Sequence, residues 1–224
     1  MGNRKGCLYD LLILLIQARI AMMIHNTCLD TLYTRRSIRR YADRSVDRAL
    51  IDAAFEAAAQ APSAHNRQPW RLAVVTSSEA KAQLASAMGK RLRADRLADG
   101  DPADVVEADL ERSHTRITSA PVVILACLTM ADMDTYPDTR RGGAERIMAI
   151  QSVAAAIQNL LLAAHSLGLG ACWMCAPLFA PEAARETLGL PADWEPQALV
   201  TLGYPAQEAK PRTVQPLESR VVYR

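Results

Sequence analysis

Aromatic side chains are scarce in this sequence, 5% of 224 residues, and only two of them are phenylalanine. Such scarcity argues against a surface that stacks the bases of a single-stranded nucleic acid, which needs aromatic platforms beside positive charge. Net charge is small as well, +2 at neutral pH, so no general attraction to nucleic acid or to an anionic membrane is expected. No Gly-x-Gly-x-x-Gly turn follows a candidate strand, which excludes a separate Rossmann nicotinamide domain from the expectation without excluding NAD(P)H itself. Neither paired carboxylates nor a Ser-His-Asp set forms a persuasive pattern.

Five cysteines, at 7, 28, 127, 172 and 175, make no even disulfide framework in a chain too large to need one. Reduced thiols and a cytoplasmic location are the expectation. Cys172 and Cys175 form a Cys-x-x-Cys pair, readable as a redox couple, as half of a zinc site, or as the end of a buried strand. With no second ligand pair and only His165 nearby, the strand end is the simplest reading and no metal is expected.

Residues 8–16 are apolar apart from Asp10 and follow Arg4 and Lys5, superficially like a signal peptide. The run is too short to span a bilayer and lacks a small-residue cleavage site. Gly6 stands where a myristoylation signal wants Ser or Thr. Met22 and Met23 lie just before the recognisable domain, so residues 1–29 read as an extension from an over-long start, or else as a helix for a partner subunit. Residues 30–224 read as one domain, long enough to bury a proper core.

What the sequence does have is a concentration of arginine. Positions 35, 36, 39, 40, 44 and 48 face only Asp43 and Asp47, a local excess of four positive charges. Within 34–41 (Thr-Arg-Arg-Ser-Ile-Arg-Arg-Tyr) four guanidinium groups surround the Ser37 hydroxyl, an arrangement suited to a phosphate, or otherwise a solvated basic turn.

Asp47 can cap a helix with apolar positions 50, 51, 54, 55 and 58 that ends before Pro62. The following stretch 62–70, Pro-Ser-Ala-His-Asn-Arg-Gln-Pro-Trp, reads as an ordered loop open to a ligand, with His65 either an acid–base group or simply exposed. A strand is expected at 71–76 and helices at 79–88 and 91–119, the latter polar, broken near Gly100, and read as a cover or substrate-side helix without obvious chemistry. The apolar run 121–128 predicts a strand buried on both faces, and 130–143 a loop. Residues 144–167 predict the longest helix, apolar around much of its circumference and capped by Gly168. A strand at 171–174, a turn at 177–179, a helix at 181–188 and a strand at 197–203 complete the chain.

Four stretches in order carry a resemblance: Arg-Arg-Ser-x-Arg at 35–39, Pro-Ser-x-x-Asn-x-Gln-Pro-Trp at 62–70, the Gln158-Asn159 helix running into Gly168-Leu-Gly-Ala-Cys-Trp-Met, and Gly203-Tyr-Pro followed by Lys210-Pro-Arg. Together they resemble the nitroreductase family over about 31–217. Asp193-Trp-Glu-Pro further resembles the reductase domain fused to the deazaflavin-cofactor glutamate ligase. The resemblance implies an α+β fold, with a mixed, mainly antiparallel central sheet flanked by helices, and an FMN-dependent homodimer with the long helix at its core.

It also implies an NAD(P)H-dependent oxidoreductase acting on a small electron acceptor such as a nitroaromatic, quinone or conjugated enoyl compound. Arg35, Arg36 and Ser37 are then expected at the flavin phosphate and ribityl end, with Lys210 and Arg212 closing from the other end of the chain. Arg39 is expected near the pyrimidine edge, where positive charge favours the negative charge gained on reduction. Pro62, Ser63, Ala64 and Asn66 would reach the flavin from the second subunit, and Trp173, Met174 and Cys175 would lie along the ring. Specialised relatives that reduce a deazaflavin-cofactor precursor, fragment flavin, dehalogenate tyrosines or oxidise azolines are an alternative. A flavin-free anion or nucleic-acid binding module is another.

Overall fold

A computed structural model describes residues 27–224. The apolar run 8–16 and the paired methionines lie outside those residues. Contacts divide the chain into two compact units, Met1–Arg35 and Arg36–Arg224. Of the first, helix α1 (Thr27–Thr34) is described, with the Thr34 hydroxyl donating to Asp30 O at 2.6 Å.

In the second unit, α2 (Arg48–Ala59) starts where expected: the Asp47 carboxylate accepts from Ala49 N–H at 3.0 Å, meeting one orphan donor of the first turn. A 3₁₀ turn (Ala64–Asn66) leads into β1 (Trp70–Val75). Helices α3 (Ser78–Ala98) and α4 (Ala103–Thr118) precede β2 (Val122–Leu128). Then come α5 (Thr139–Ser166), β3 (Gly170–Met174), a 3₁₀ turn (Ala176–Phe179), α6 (Pro181–Thr187) and β4 (Glu195–Gly203).

The four strands lie in the order β1-β2-β4-β3, every neighbour antiparallel. Parallel character is confined, among the described residues, to a single bridge between Ser37 and Ala171. The sheet is sandwiched, and strand alternation decides which residue meets which layer. On β2, Val122, Ile124, Ala126 and Leu128 pack with α2 and α5, whereas Val123, Leu125 and Cys127 pack with α3, α4 and α6. All seven β2 residues are buried, as the unbroken apolar run predicts. Burial pushes the Cys127 thiol up to about 12, so it behaves as a small apolar group.

Strand ends shift by one or two residues from the sequence reading, and two helix boundaries differ by more. Helix α3 continues past 88 through Gly89, where a Cβ would stand 3.7 Å from Leu110 of α4. A mid-helix glycine costs only about 1 kcal/mol relative to alanine, and ion pairs from Arg93 to Glu107 and from Arg96 to Asp109 join the two helices. Helix α5 likewise begins at Thr139 rather than 144, passing through Gly142 and Gly143. Asp138 caps it by accepting from Arg141 N–H at 2.9 Å, an interaction that lowers the Asp138 pKa and offsets the glycines.

By length and composition α5 could cross a membrane, yet it is the core helix: Val153, Ile157, Leu160, Leu161 and Ala164 all lie in the main cluster. Its burial is incomplete in the single chain, with Ile147 57% and Ile150 37% exposed. Gly168 ends it in the left-handed region (φ 77°), as expected.

Candidate functional site

The arginine segment would repel itself as a free coil, but hydrogen bonds fasten it to β3 at one end and to the segment that follows β4 at the other. Ile38 N–H donates to Ala171 O of β3 at 3.0 Å. Further on, Ala42 N–H donates to Tyr204 O (2.8 Å) and Ala206 N–H to Arg40 O (3.1 Å). Such close crossing needs glycine beneath it. A Cβ on Gly170 would stand 2.6 Å from Ile38 Cβ, and one on Gly203 would stand 2.7 Å from Pro121 and 2.9 Å from Tyr41. Tyr41 acts as a strut: its hydroxyl donates to Ile38 O at 2.7 Å and lies 2.7 Å from the Thr201 hydroxyl. Burial raises the Tyr41 pKa well above its ordinary value, outweighing the opposing Thr201 hydrogen bond, so the strut stays neutral.

Thus positioned, residues 36–41 form one wall of a cleft of about 1070 Å³. Residues 207–212 form a second wall, and Glu111, Arg112, Thr115, Arg116 and Ser119 of α4 and its C-cap form a third. Seven cations (Arg36, Arg39, Arg40, Arg112, Arg116, Lys210 and Arg212) oppose Glu111 and Glu208. Arg112 is partly compensated by its ion pair with Asp109. The surplus favours a multiply charged anion, and planar guanidinium forks beside the Ser37 hydroxyl suit phosphate oxygens.

The cleft therefore gathers Arg36, Ser37, Arg39, Lys210 and Arg212 from opposite ends of the sequence. Arg35 closes the first compact unit, its N–H donating to Thr31 O at 3.0 Å. Other expected residues do not line this cleft. Trp173 and Met174 end β3 half-buried and Cys175 follows exposed; the Trp173 indole Nε1 is buried without a hydrogen-bond partner. Cys172 is buried within the strand, whereas Cys175 lies just past its end and is exposed, so the buried strand-end reading holds for Cys172 alone.

Residues 62–70 fold on themselves. Ser63 Oγ accepts from Gln68 N–H at 3.1 Å, and Ala64 N–H donates to Ser152 Oγ of α5 at 3.2 Å. His65, Asn66 and Gln68 all hold positive φ (51°, 54° and 50°), and the Pro62, His65 and Asn66 side chains are exposed.

The α4 wall was missed by the sequence reading, which gave that helix no chemistry. Its signal was present: positions 112, 115, 116 and 119 recur at helical spacing and carry two arginines and two hydroxyls. The Asp193-Trp-Glu-Pro stretch, by contrast, serves architecture. Asp193 accepts from the Thr129 hydroxyl at 2.8 Å, and Glu195 receives a forked ion pair from Arg146 that lowers its pKa.

Comparison with protein-family profiles matches residues 32–204 to the "Nitroreductase family". A protein of Archaeoglobus fulgidus described as "Putative NADH dehydrogenase/NAD(P)H nitroreductase" is 34% identical over 185 residues, spanning 81% of this chain and 87% of that protein. An "NADH dehydrogenase" of Thermus thermophilus is 33% identical over 215 residues, spanning 85% of this chain and 92% of its own. Among solved structures, a Desulfovibrio desulfuricans protein described as "a putative nitroreductase in complex with fmn" superposes with a TM-score of 0.68 at 27% identity, covering 89% of this chain and 98% of that one.

Proposed function

This chain belongs to the nitroreductase family, and from that premise we propose that it is an FMN-dependent oxidoreductase. It passes reducing equivalents from NAD(P)H to an electron-poor small molecule such as a nitroaromatic, quinone or conjugated enoyl compound. The observation that carries the proposal is the cleft where Arg36, Ser37, Lys210 and Arg212 converge, a donor set that fits a flavin phosphate. At about 1070 Å³ the cleft exceeds what a phosphate alone needs, leaving room for the chain that follows it.

In this reading Arg36, Ser37, Lys210 and Arg212 hold the phosphate. Arg39 supplies fixed positive charge toward the pyrimidine edge, and Trp173, Met174 and Cys175 border the ring. Bound FMN supplies the hydride-accepting and hydride-donating centre, so the protein's part is orientation and charge rather than a nucleophile. With FMN held there, nucleotide and acceptor would share one site in turn, which would give ping-pong kinetics.

The active form is a homodimer, supported by two features of the single chain. Residues 62–66 do not line the cleft of their own chain, and Ile147 and Ile150 leave an apolar strip on α5 exposed. Pro62, Ser63, Ala64 and Asn66 then meet the flavin held mainly by the other subunit. The enzyme works in the cytoplasm, with no nucleic-acid or membrane partner.

The visible spectrum of the purified protein, before and after anaerobic NADH or NADPH, tests the proposal. An oxidised-flavin spectrum that bleaches with either nucleotide is expected. Failure to bind FMN on reconstitution would overturn the cofactor, and bound flavin that resists both nucleotides would overturn the reductant.

A further inference from the structure

We infer that His65, Asp134 and Glu145 form a site for a divalent transition-metal ion of the zinc class, separate from the basic cleft. The fold brings them together from three segments: the loop before β1, the connection after β2 and the early part of α5. Each offers one ligand atom, and the three atoms lie within 4.8 Å of one another. No local spacing motif could announce the set, because the positions are far apart in the chain.

An independent observation points to a cation. Glu145 is fully buried, the only acidic residue so placed among those described. One of its oxygens accepts from Asp134 N–H at 3.2 Å, but Oε2 is buried and has no hydrogen-bond partner. Buried carboxylate oxygens are nearly always satisfied, since a desolvated negative charge without a partner is expensive. A coordinated ion shared with His65 and Asp134 would satisfy it.

The donor set also restricts the ion. One imidazole and two carboxylates suit zinc and its first-row neighbours better than calcium or magnesium, which prefer oxygen alone. Tetrahedral zinc with bonds of about 2.0–2.1 Å holds its donors about 3.4 Å apart, so each ligand needs to move by less than about 1 Å. Three protein ligands leave a fourth position for water. Arg67 pairs with one Asp134 oxygen and so orients that carboxylate from outside, leaving the other to coordinate. Once bound, the ion would tie the 62–66 loop to α5. This inference does not rest on the flavin reading.

The test uses the full-length protein, treated with chelator and then titrated calorimetrically with Zn²⁺, with Mg²⁺ as the hard-ion control. One Zn²⁺ per chain is expected to depend on this set, with His65→Ala and Glu145→Gln each weakening it by more than about tenfold. Zn²⁺ should also raise the thermal midpoint of the wild type but not of His65→Ala. Should Glu145→Gln fail to fold, His65→Ala alters an exposed side chain and decides the matter by itself. Absence of Zn²⁺ binding to the wild type, or Zn²⁺ bound equally well by His65→Ala through the cysteines, would overturn the site.

Discussion

Residues 36–41 and 62–70 are both short segments rich in hydrogen-bonding side chains, but they are held in different ways. The first is fastened to Ala171 of β3 and to Tyr204 and Ala206 just after β4, with glycines at 170 and 203 clearing its path. The second is held by its own Ser63–Gln68 bond and by Ser152 of α5, with three non-glycine residues at positive φ. Accordingly the first builds a wall of the basic cleft within one chain, while the second presents exposed side chains elsewhere. On the proposed reading, the difference separates what one subunit completes from what two would complete. In the proposal, phosphate recognition belongs to the single chain and the second set of flavin contacts to the dimer.

The sharpest break in that division is expected from placing charge on the α5 strip. Ile147→Asp together with Ile150→Asp should give a folded monomer in sedimentation, with an unchanged helical circular-dichroism signal and a loss of FMN affinity of at least about a hundredfold. That loss corresponds to about 2.7 kcal/mol. A monomer that keeps full affinity would assign the whole flavin site to one chain.

Arg212→Ala should come next, weakening FMN by about 1.5–3 kcal/mol through loss of a charge-assisted phosphate contact. The dimer should be unaffected, as sedimentation of the variant would check. Gly170→Ala acts on the fastening rather than the charge. Its Cβ meets Ile38 at 2.6 Å, and overpacking of this kind costs about 1–3 kcal/mol, to be read in denaturant melts. Flavin affinity should fall with it, because Ser37 and Arg39 flank the displaced residue.

The smallest effect concerns the Arg146–Glu195 pair, which joins α5 to β4. The folded-state pKa of Glu195 is depressed, chiefly by its hydrogen bond from Arg146. The associated stability is therefore present above the unfolded carboxylate value, about 4.3, and is lost as pH falls through the lower folded value. Since the pair is largely exposed to screening, Arg146→Gln should cost no more than about 1 kcal/mol at pH 7. The difference in thermal midpoint should shrink toward zero as the pH is taken below the folded value.

Much of the second unit was legible because local signals agreed with one another. Asp47 as a cap, the unbroken apolar run of β2 and the left-handed Gly168 each have one strong physical reading, and the fold uses all three. The boundaries at Gly89 and at 142–143 were misread because a glycine's local penalty is small beside a long helix's cooperative gain and its tertiary packing.

The site was legible in part. Clustered arginines announced the wall at 36–41 and the family pattern drew in Lys210 and Arg212. The α4 face was overlooked because its charges looked like ordinary solvated helix surface. Exposed charge becomes a wall only when another segment lies opposite, and that depends on contacts distant in sequence. The grouping of His65, Asp134 and Glu145 is hidden for the same reason.

The central claim is that the basic cleft holds the flavin through its phosphate. Parallel fluorescence titrations of the wild type and Arg212→Ala with FMN and with riboflavin, which lacks the phosphate, address it most directly. The account predicts that the wild type prefers FMN strongly and that Arg212→Ala weakens FMN by about 10–150-fold, with riboflavin binding little changed. Equal affinity of the wild type for the two flavins, or an equal loss for both in the variant, would contradict it.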